Sequence, residues 1–184
     1  MESRIILGSG AYFSYSDPHS ADVTIEDIAY GLAFAGRFAG QCVSQETGKR
    51  VFYSVAEHCV RMSFVVPPTL ALHALMHEAG ESTCGDMPGP LKALCPDFKK
   101  IEKRCEAALF QKFGVATRDD KEIKRCDRIM LVTERRDLMP WRGEAWDDIG
   151  DVDPLPERIS PWPAETAAER FLARYRELSG DASS

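Results

Sequence analysis

Helix start and stop signals follow one another through most of this sequence and leave little room for any other kind of structure. Thr24 to Asp27 is a variant of the capping box, and Ser54-Val-Ala-Glu57 is a full box, so both predict helix starts. The second of these helices must end before Pro67-Pro68, because proline cannot continue a helix. Thr69 is expected to cap a further helix that carries residues 73–81.

The second half of the chain shows similar helix start and stop signals. A sharp break is expected at Gly85 to Pro90, followed by one helix from about Asp97 to Phe113 and another from about Asp119 to Leu138. A last helix is predicted from about Ala164 to Leu178. The segment 140–163 contains several prolines and all three tryptophans, so we expect a structured loop packed over the core.

The N-terminal segment, residues 1–23, is expected to be irregular, with one short strand at Arg4 to Leu7. Nothing indicates a sizeable sheet, and the predicted fold class is all-α. A length of 184 residues fits one domain over 1–184, with a core at about 4–140 and a C-terminal loop and helix at 141–178.

Composition limits the compartment and the partners. The N-terminus has no long apolar run after a basic start and no stretch approaches a membrane span, so we expect a cytoplasmic protein without a signal peptide or a membrane partner. In that compartment the six cysteines are expected to be reduced. The net charge of −6 argues against a nucleic-acid polymer as partner, but not against a small anionic ligand.

Four potential metal ligands stand out: His58, the adjacent pair His77-Glu78, and Asp127. Two imidazoles and two carboxylates suit a divalent cation, with Mn²⁺, Co²⁺, Zn²⁺ or Fe²⁺ favoured over Mg²⁺. Asp127 lies between Cys126 and an apolar run, so its carboxylate is expected to point inward, where an unpaired charge would be costly. A metal ion would remove that cost.

Glu81 lies three residues past Glu78, on the same face of the expected helix. A spare carboxylate one turn from metal ligands suggests hydrolysis in which that group transfers a proton. The rival interpretation is the H-E-x-x-H motif of zinc peptidases, but here Glu81 replaces the second histidine and the motif is incomplete.

Taken in order, the segments Tyr53-Ser-Val-Ala-Glu-His58, His77-Glu-Ala-Gly-Glu81, Gly85-Asp-Met-Pro, and Asp127 with Glu134-x-x-Asp-Leu-Met-Pro140 resemble the HD-domain phosphohydrolases. The similarity covers about residues 4–140 and is closest to the small branch that includes bacterial 5′-deoxynucleotidases and phage dATP triphosphohydrolases. It implies a compact HD-domain helical bundle.

The resemblance also implies roles for single residues. His58, His77 and Asp127 match metal ligands of the family, and Glu81 matches the glutamate assigned to proton transfer. The family has His-Asp where this chain has His77-Glu78. Glutamate keeps the charge and the ligand oxygens but adds one methylene of reach.

For the substrate, Arg37 matches an arginine that contacts phosphate, while Asp86 and Lys92 fall in the loop that closes the nucleotide site. Phe38 is a candidate for stacking on the base, with core packing as the alternative. Relatives in this branch tend to oligomerise, which would make this chain a homo-oligomer.

The function expected on these grounds is metal-dependent hydrolysis of a deoxynucleoside triphosphate. The favoured substrate is dATP, cleaved at the α-phosphorus to give the deoxynucleoside and triphosphate. One alternative is a 5′-deoxynucleoside monophosphatase that uses the same metal and Glu81. Another, of a different class, is a nucleotide-binding regulator in which Glu78 has abolished turnover.

Overall fold

The computed structural model of the protein describes residues 3–116, 121–146 and 149–180. The α-helices, numbered in chain order, are α1 (Ile25–Phe34), α2 (Val55–Val65), α3 (Ala71–Met76), α4 (Glu81–Cys84), α5 (Gly89–Leu94), α6 (Pro96–Lys112), α7 (Lys121–Leu138) and α8 (Ala164–Ser179). Short 3-10 turns occur at Pro18–Ser20, Arg37–Gly40 and Pro68–Leu70. The expectation of a mainly α-helical protein is confirmed.

A small hairpin occupies the N-terminal segment. Strand β1 (Arg4–Ile6) pairs antiparallel with β2 (Tyr12–Ser14), and Ile5 lies opposite Phe13. The short strand expected at Arg4 to Leu7 is present, whereas β2 was not predicted. The side chain of Phe13 is fully buried, so the hairpin is attached to the main core rather than free of it.

Both predicted N-terminal caps are present, but only one is a complete box. At α1 the Thr24 side chain accepts a hydrogen bond from Asp27 N, and the Asp27 carboxylate accepts one from Thr24 N in return. At α2 the Ser54 hydroxyl accepts a hydrogen bond from Glu57 N. The Glu57 carboxylate does not return that bond, because Arg61 and the backbone N–H of Trp162 occupy it.

The single helix expected over residues 69–81 was wrong. Thr69 lies inside the Pro68–Leu70 turn and caps nothing, and the chain forms α3 and then α4 with residues 77–80 between them. Bonds from residue i to i−3, such as Glu81 N to Glu78 O, wind this stretch more tightly than an α-helix. At Gly80 the chain comes close to α6: a β-carbon there would lie 3.1 Å from the backbone oxygen of Glu102.

The break expected at Gly85 to Pro90 contains the start of α5, which was not predicted. Lys92 therefore lies on a helix and not in a loop. Helix α6 ends one residue before the predicted position, and α8 begins at the predicted Ala164. Helix α7 is described from Lys121, and the predicted start at Asp119 lies outside the described residues.

Helix α8 packs against α1, α2 and α3, and Phe171 is fully buried in the core they share. A second apolar cluster lies under the C-terminal segment, where Ile159 packs with Met62 of α2 and Met130 of α7. The predicted packing of the 140–163 segment over the core is thus confirmed for Leu155, Ile159 and Trp162, whereas residues 140–145 are exposed. No described helix is both long enough and apolar enough to cross a lipid bilayer.

Candidate metal centre

Three predicted ligands meet in the structure although they come from distant parts of the chain. His58 lies in the first turn of α2, His77 directly follows α3, and Asp127 lies on α7. His58 Nε2 is 3.3 Å from His77 Nε2 and 3.4 Å from Asp127 Oδ1, and one ligand atom of each residue lies within 4.8 Å of the others. Such a group could hold a metal ion.

The hydrogen bond made by Nδ1 of each histidine ring determines whether Nε2 of that ring is free to bind a metal ion. His77 Nδ1 is 2.7 Å from the carbonyl oxygen of Ala74, which only accepts, so this nitrogen donates its N–H. His58 Nδ1 is 2.6 Å from the carboxylate of Glu134 and donates likewise. The Nε2 atoms of both rings then face each other and Asp127, an arrangement that a cation between them, either a proton or a metal ion, would stabilise. Histidine metal ligands usually donate their other N–H to a carbonyl or carboxylate in this way.

The pKa values of His58 and His77 are shifted in opposite directions. Burial and Arg37 lower the pKa of His58, but the carboxylates of Glu134 and Asp127 outweigh them and raise this pKa to about 9. Burial and the neighbouring His58 lower the pKa of His77 to about 4. Without a metal, His58 is therefore protonated at neutral pH and carries the positive charge of the site. A metal ion that binds His58 must displace this proton.

Glu134 binds His58 on the buried side of this centre. It was not singled out as a site residue from the sequence. Its buried carboxylate accepts hydrogen bonds from His58 Nδ1, from the Tyr53 hydroxyl at 2.9 Å and from Arg37 Nη2 at 2.9 Å. Despite burial, these neighbours lower the pKa of Glu134, so it stays charged. The spacing held a signal: Glu134 follows Asp127 by two helical turns, on the same face of α7.

Arg37, the predicted phosphate contact, lies at the start of the Arg37–Gly40 turn with 12% of its side chain exposed. One side of its guanidinium pairs with Glu134. Its Nε is buried and has no hydrogen-bond partner among the described residues, so a donor remains for a further acceptor. A phosphate oxygen is the acceptor that guanidinium groups bind best in such settings.

Glu78, the predicted fourth ligand, lies beside the centre but outside the group of three. Its Oε1 is 3.4 Å from His77 Nε2, and 25% of its side chain is exposed. Burial and the nearby charge of Asp127 raise the pKa of Glu78 to about 7. The pKa of Asp127 is instead lowered, because its hydrogen bond to His58 outweighs its burial. Asp127 is thus the permanent anion of the site.

Glu81, the predicted proton-transfer residue, opens α4 and is almost fully buried. Its Oε1 accepts a hydrogen bond from Lys92 Nζ at 3.0 Å, while Oε2 is buried without a partner among the described residues. Burial, Glu78 and Asp86 raise the pKa of Glu81 to about 8. At neutral pH this carboxyl group is therefore largely protonated and can donate.

Phe38, the predicted stacking residue, has an unusual backbone. Its φ is 53° and that of Ala39 is 51°, a left-handed conformation that two successive non-glycine residues rarely adopt. The half-buried ring lies 5.3 Å from the Arg37 guanidinium and 6.4 Å from the ring of Trp146. With this backbone the ring of Phe38 lies beside Arg37, and no base-binding contact follows from that position alone.

The fold and this site define a mainly α-helical protein with a candidate metal centre of two histidines and one aspartate. The chain is 38% identical, over 173 residues and 93% of both proteins, to the uncharacterized protein YfdR of Escherichia coli strain K12. It is 33% identical, over 194 residues, to an uncharacterized protein of Rhodobacter capsulatus, covering 94% of this chain and 95% of that protein. The chain belongs to the family of YfdR. No protein-family model matches it.

Proposed function

We propose that this protein is an HD-type phosphohydrolase that uses a divalent metal to hydrolyse deoxynucleotides. The observation that carries the proposal is the position of the Nε2 atoms of His58 and His77, which face each other and Asp127. This donor set fits Mn²⁺, Co²⁺, Zn²⁺ or Fe²⁺ better than Mg²⁺, because imidazole is a poor ligand for Mg²⁺.

The side chains around the candidate metal centre are suited to different roles in phosphate hydrolysis. A divalent ion in this centre supplies positive charge to the phosphoryl oxygens. Arg37, through its unused Nε, is suited to bind a further oxygen. Glu81 is suited to deliver a proton to the leaving 5′-oxygen, since its raised pKa keeps it protonated near neutrality. Lys92 holds Glu81 in place through its hydrogen bond.

The substrate that we propose is a deoxynucleoside triphosphate, with dATP first, cleaved at the α-phosphorus. The resemblance in sequence to phage triphosphohydrolases supports this choice over a monophosphate. The net charge of −6 supports a small anion over a nucleic-acid polymer, because polymer binding usually needs a broad basic surface. A cytoplasmic location belongs to the same proposal.

Incubation with all dNTPs, rNTPs and dNMPs in the presence of Mn²⁺, Co²⁺ or Mg²⁺, followed by product identification, tests this function. Triphosphate release from dATP is the expected result, and orthophosphate release from dAMP alone would establish the monophosphatase instead. Binding of nucleotides without turnover under any metal would favour a regulator. His77→Ala is the matched control, expected to lose metal and activity while its helical circular dichroism is retained.

The proton-transfer role is tested by Glu81→Gln, which keeps the size of the side chain and removes the acid. Metal content should be unchanged because Glu81 is not among the three grouped ligands, while turnover should fall by about 10²-fold or more. Elemental analysis and initial rates measure the two effects separately. Loss of metal in this variant would make Glu81 a ligand, and full activity would remove it from the mechanism.

A further inference from the structure

A small cavity of about 200 Å³ adjoins the candidate metal centre on the side of α6. It is lined by residues at the end of α3 and the start of α4, which are His77, Glu78, Gly80 and Glu81, and by residues of α5 and α6, which are Lys92, Lys99, Glu102, Lys103 and Glu106. The volume lies below the roughly 300 Å³ at which pockets for whole small-molecule ligands begin. The cavity is therefore sized for a part of a ligand that extends from the metal centre.

Three lysines line this cavity: Lys92, Lys99 and Lys103. Lys92 is held between Glu81 and Glu102, with its Nζ 3.0 and 2.7 Å from their carboxylates. Lys103 pairs with Glu106 across an exposed face, a contact that costs little to exchange. Lys99 forms no ion pair with any residue in the described parts of the chain.

The two α6 lysines are spaced for an extended anion. They are four residues apart, on one face of the helix and about 6 Å apart along its axis. Lys100, between them, points elsewhere and pairs with Asp97. Because Lys99 and Lys103 lie one turn apart, a single phosphate group would meet one of them, whereas a chain of phosphates can meet both.

Glu81 supplies a second, independent sign that a ligand belongs in the cavity. It lines the cavity, it is 4% exposed, and its Oε2 is buried without a hydrogen-bond partner. Buried polar atoms in folded proteins are rarely left unpaired, and a bound group commonly completes the exceptions. A phosphate oxygen that accepts the proton of Glu81 would complete this one.

We infer that the cavity binds the phosphate chain of the substrate beyond the phosphoryl group at the metal, and that Lys99 and Lys103 are its specificity-determining contacts. This rests on the proposed function and specifies it further: the two lysines distinguish a triphosphate from a monophosphate. The metal centre and Arg37 serve both substrates, so only the α6 lysines depend on the length of the chain.

The first experiment measures binding without turnover. Inorganic tripolyphosphate, added with an equimolar amount of Mn²⁺ so that it does not strip the protein, is titrated by calorimetry into the Mn²⁺-loaded full chain. The double variant Lys99→Ala/Lys103→Ala should bind it at least about tenfold more weakly, which corresponds to about 1.4 kcal/mol. Lys100→Ala, the neighbouring lysine outside the cavity, should bind it as the wild type does.

The second experiment uses catalysis. The ratio of kcat/KM for dATP to that for dAMP should fall about tenfold in the double variant and stay constant in Lys100→Ala. Unchanged tripolyphosphate binding in the double variant overturns the inference, as does an equal loss for orthophosphate. If no nucleotide is hydrolysed under any metal, the proposed function fails, yet the binding experiment still decides whether the lysines hold a phosphate chain.

Discussion

At the centre of the site, Glu134 accepts hydrogen bonds from three side chains: His58 of α2, Tyr53 just before that helix, and Arg37. The carboxylate fixes the His58 tautomer and at the same time restrains the guanidinium beside it. One buried charge thus orients a metal ligand and a candidate substrate contact together. Partners of metal-bound histidines affect metal affinity even though they do not touch the ion.

Glu134→Gln should lower metal affinity by roughly 10- to 100-fold while the protein stays folded. The amide keeps the shape but loses the charge: its oxygen can still accept from His58 Nδ1, but its NH₂ group cannot accept from Arg37 Nη2. The measurement is competition for Mn²⁺ against a chelator of known affinity, with circular dichroism as the check on folding. Wild-type affinity in this variant would show that Glu134 only supports packing.

Glu78 replaces the aspartate that the resembled family has at this position, and its carboxylate lies beside rather than within the group of three. We expect Glu78→Asp to bind metal and remain active, with an altered preference between Mn²⁺ and Co²⁺. Glu78→Gln removes the charge that would balance the cation and should damage activity far more. Metal titrations and rates for both variants measure this. Wild-type behaviour in both would leave three protein ligands.

At the scale of elements, the tightly wound stretch between α3 and α4 and the last turn of α7 shape the site. The tightly wound stretch orients His77 towards His58 and Glu81 towards Lys92. At the last turn of α7, Asp137 accepts hydrogen bonds from Arg136, Arg158 and Ile159 N, which attaches the C-terminal segment to α7. These contacts keep the chain after α7 packed beside the helix that carries Asp127 and Glu134.

Asp137→Asn should destabilise the protein by roughly 1–3 kcal/mol at pH 7, since charged hydrogen bonds are lost. The carboxylate is buried, but its partners outweigh that effect and lower the pKa of Asp137 below the ordinary value of 3.8. Its stabilising contribution is therefore present above about pH 4 and lost as the pH falls through the lowered pKa. Urea unfolding at pH 7 and pH 3 should show the difference from wild type shrinking in acid.

Asp153→Asn is the control, because Asp153 is exposed in the same segment. It should match the wild type at both pH values. A destabilisation by Asp137→Asn that is independent of pH would mean that the shape of the side chain matters there and its charge does not.

For the whole molecule, the candidate metal centre joins α2, the end of α3 and α7, which belong to distant parts of the chain. A metal that binds only the folded state stabilises it by about 2.7 kcal/mol at a hundred times its Kd. For a chain of 184 residues this corresponds to a rise in Tm of roughly 5–10 °C. Thermal unfolding with Mn²⁺ against chelator measures it.

His77→Ala should abolish this rise, whereas His19→Ala, an exposed histidine in the Pro18–Ser20 turn, should retain it in full. An equal rise in all three proteins would place the stabilising metal elsewhere on the chain.

The sequence alone was sufficient for four of the longer helices, but not for α3, α4 and α5, and for three residues of the centre. Caps such as Thr24 and stops such as Pro67 act through bonds within a few residues, so α1, α2, α6 and α8 could be predicted nearly to their ends. His58, His77 and Asp127 could be chosen because their chemistry is a property of the side chains themselves.

Tertiary structure decided the rest, because it depends on contacts between distant residues. Glu57 fits a capping box, yet a loop more than a hundred residues away occupies its carboxylate. Residues 77–80 have helical neighbours, yet the approach of α6 to Gly80 accompanies the tighter winding there. The role of Glu134 exists only where α2 and α7 meet, since a buried carboxylate is defined by the donors that surround it.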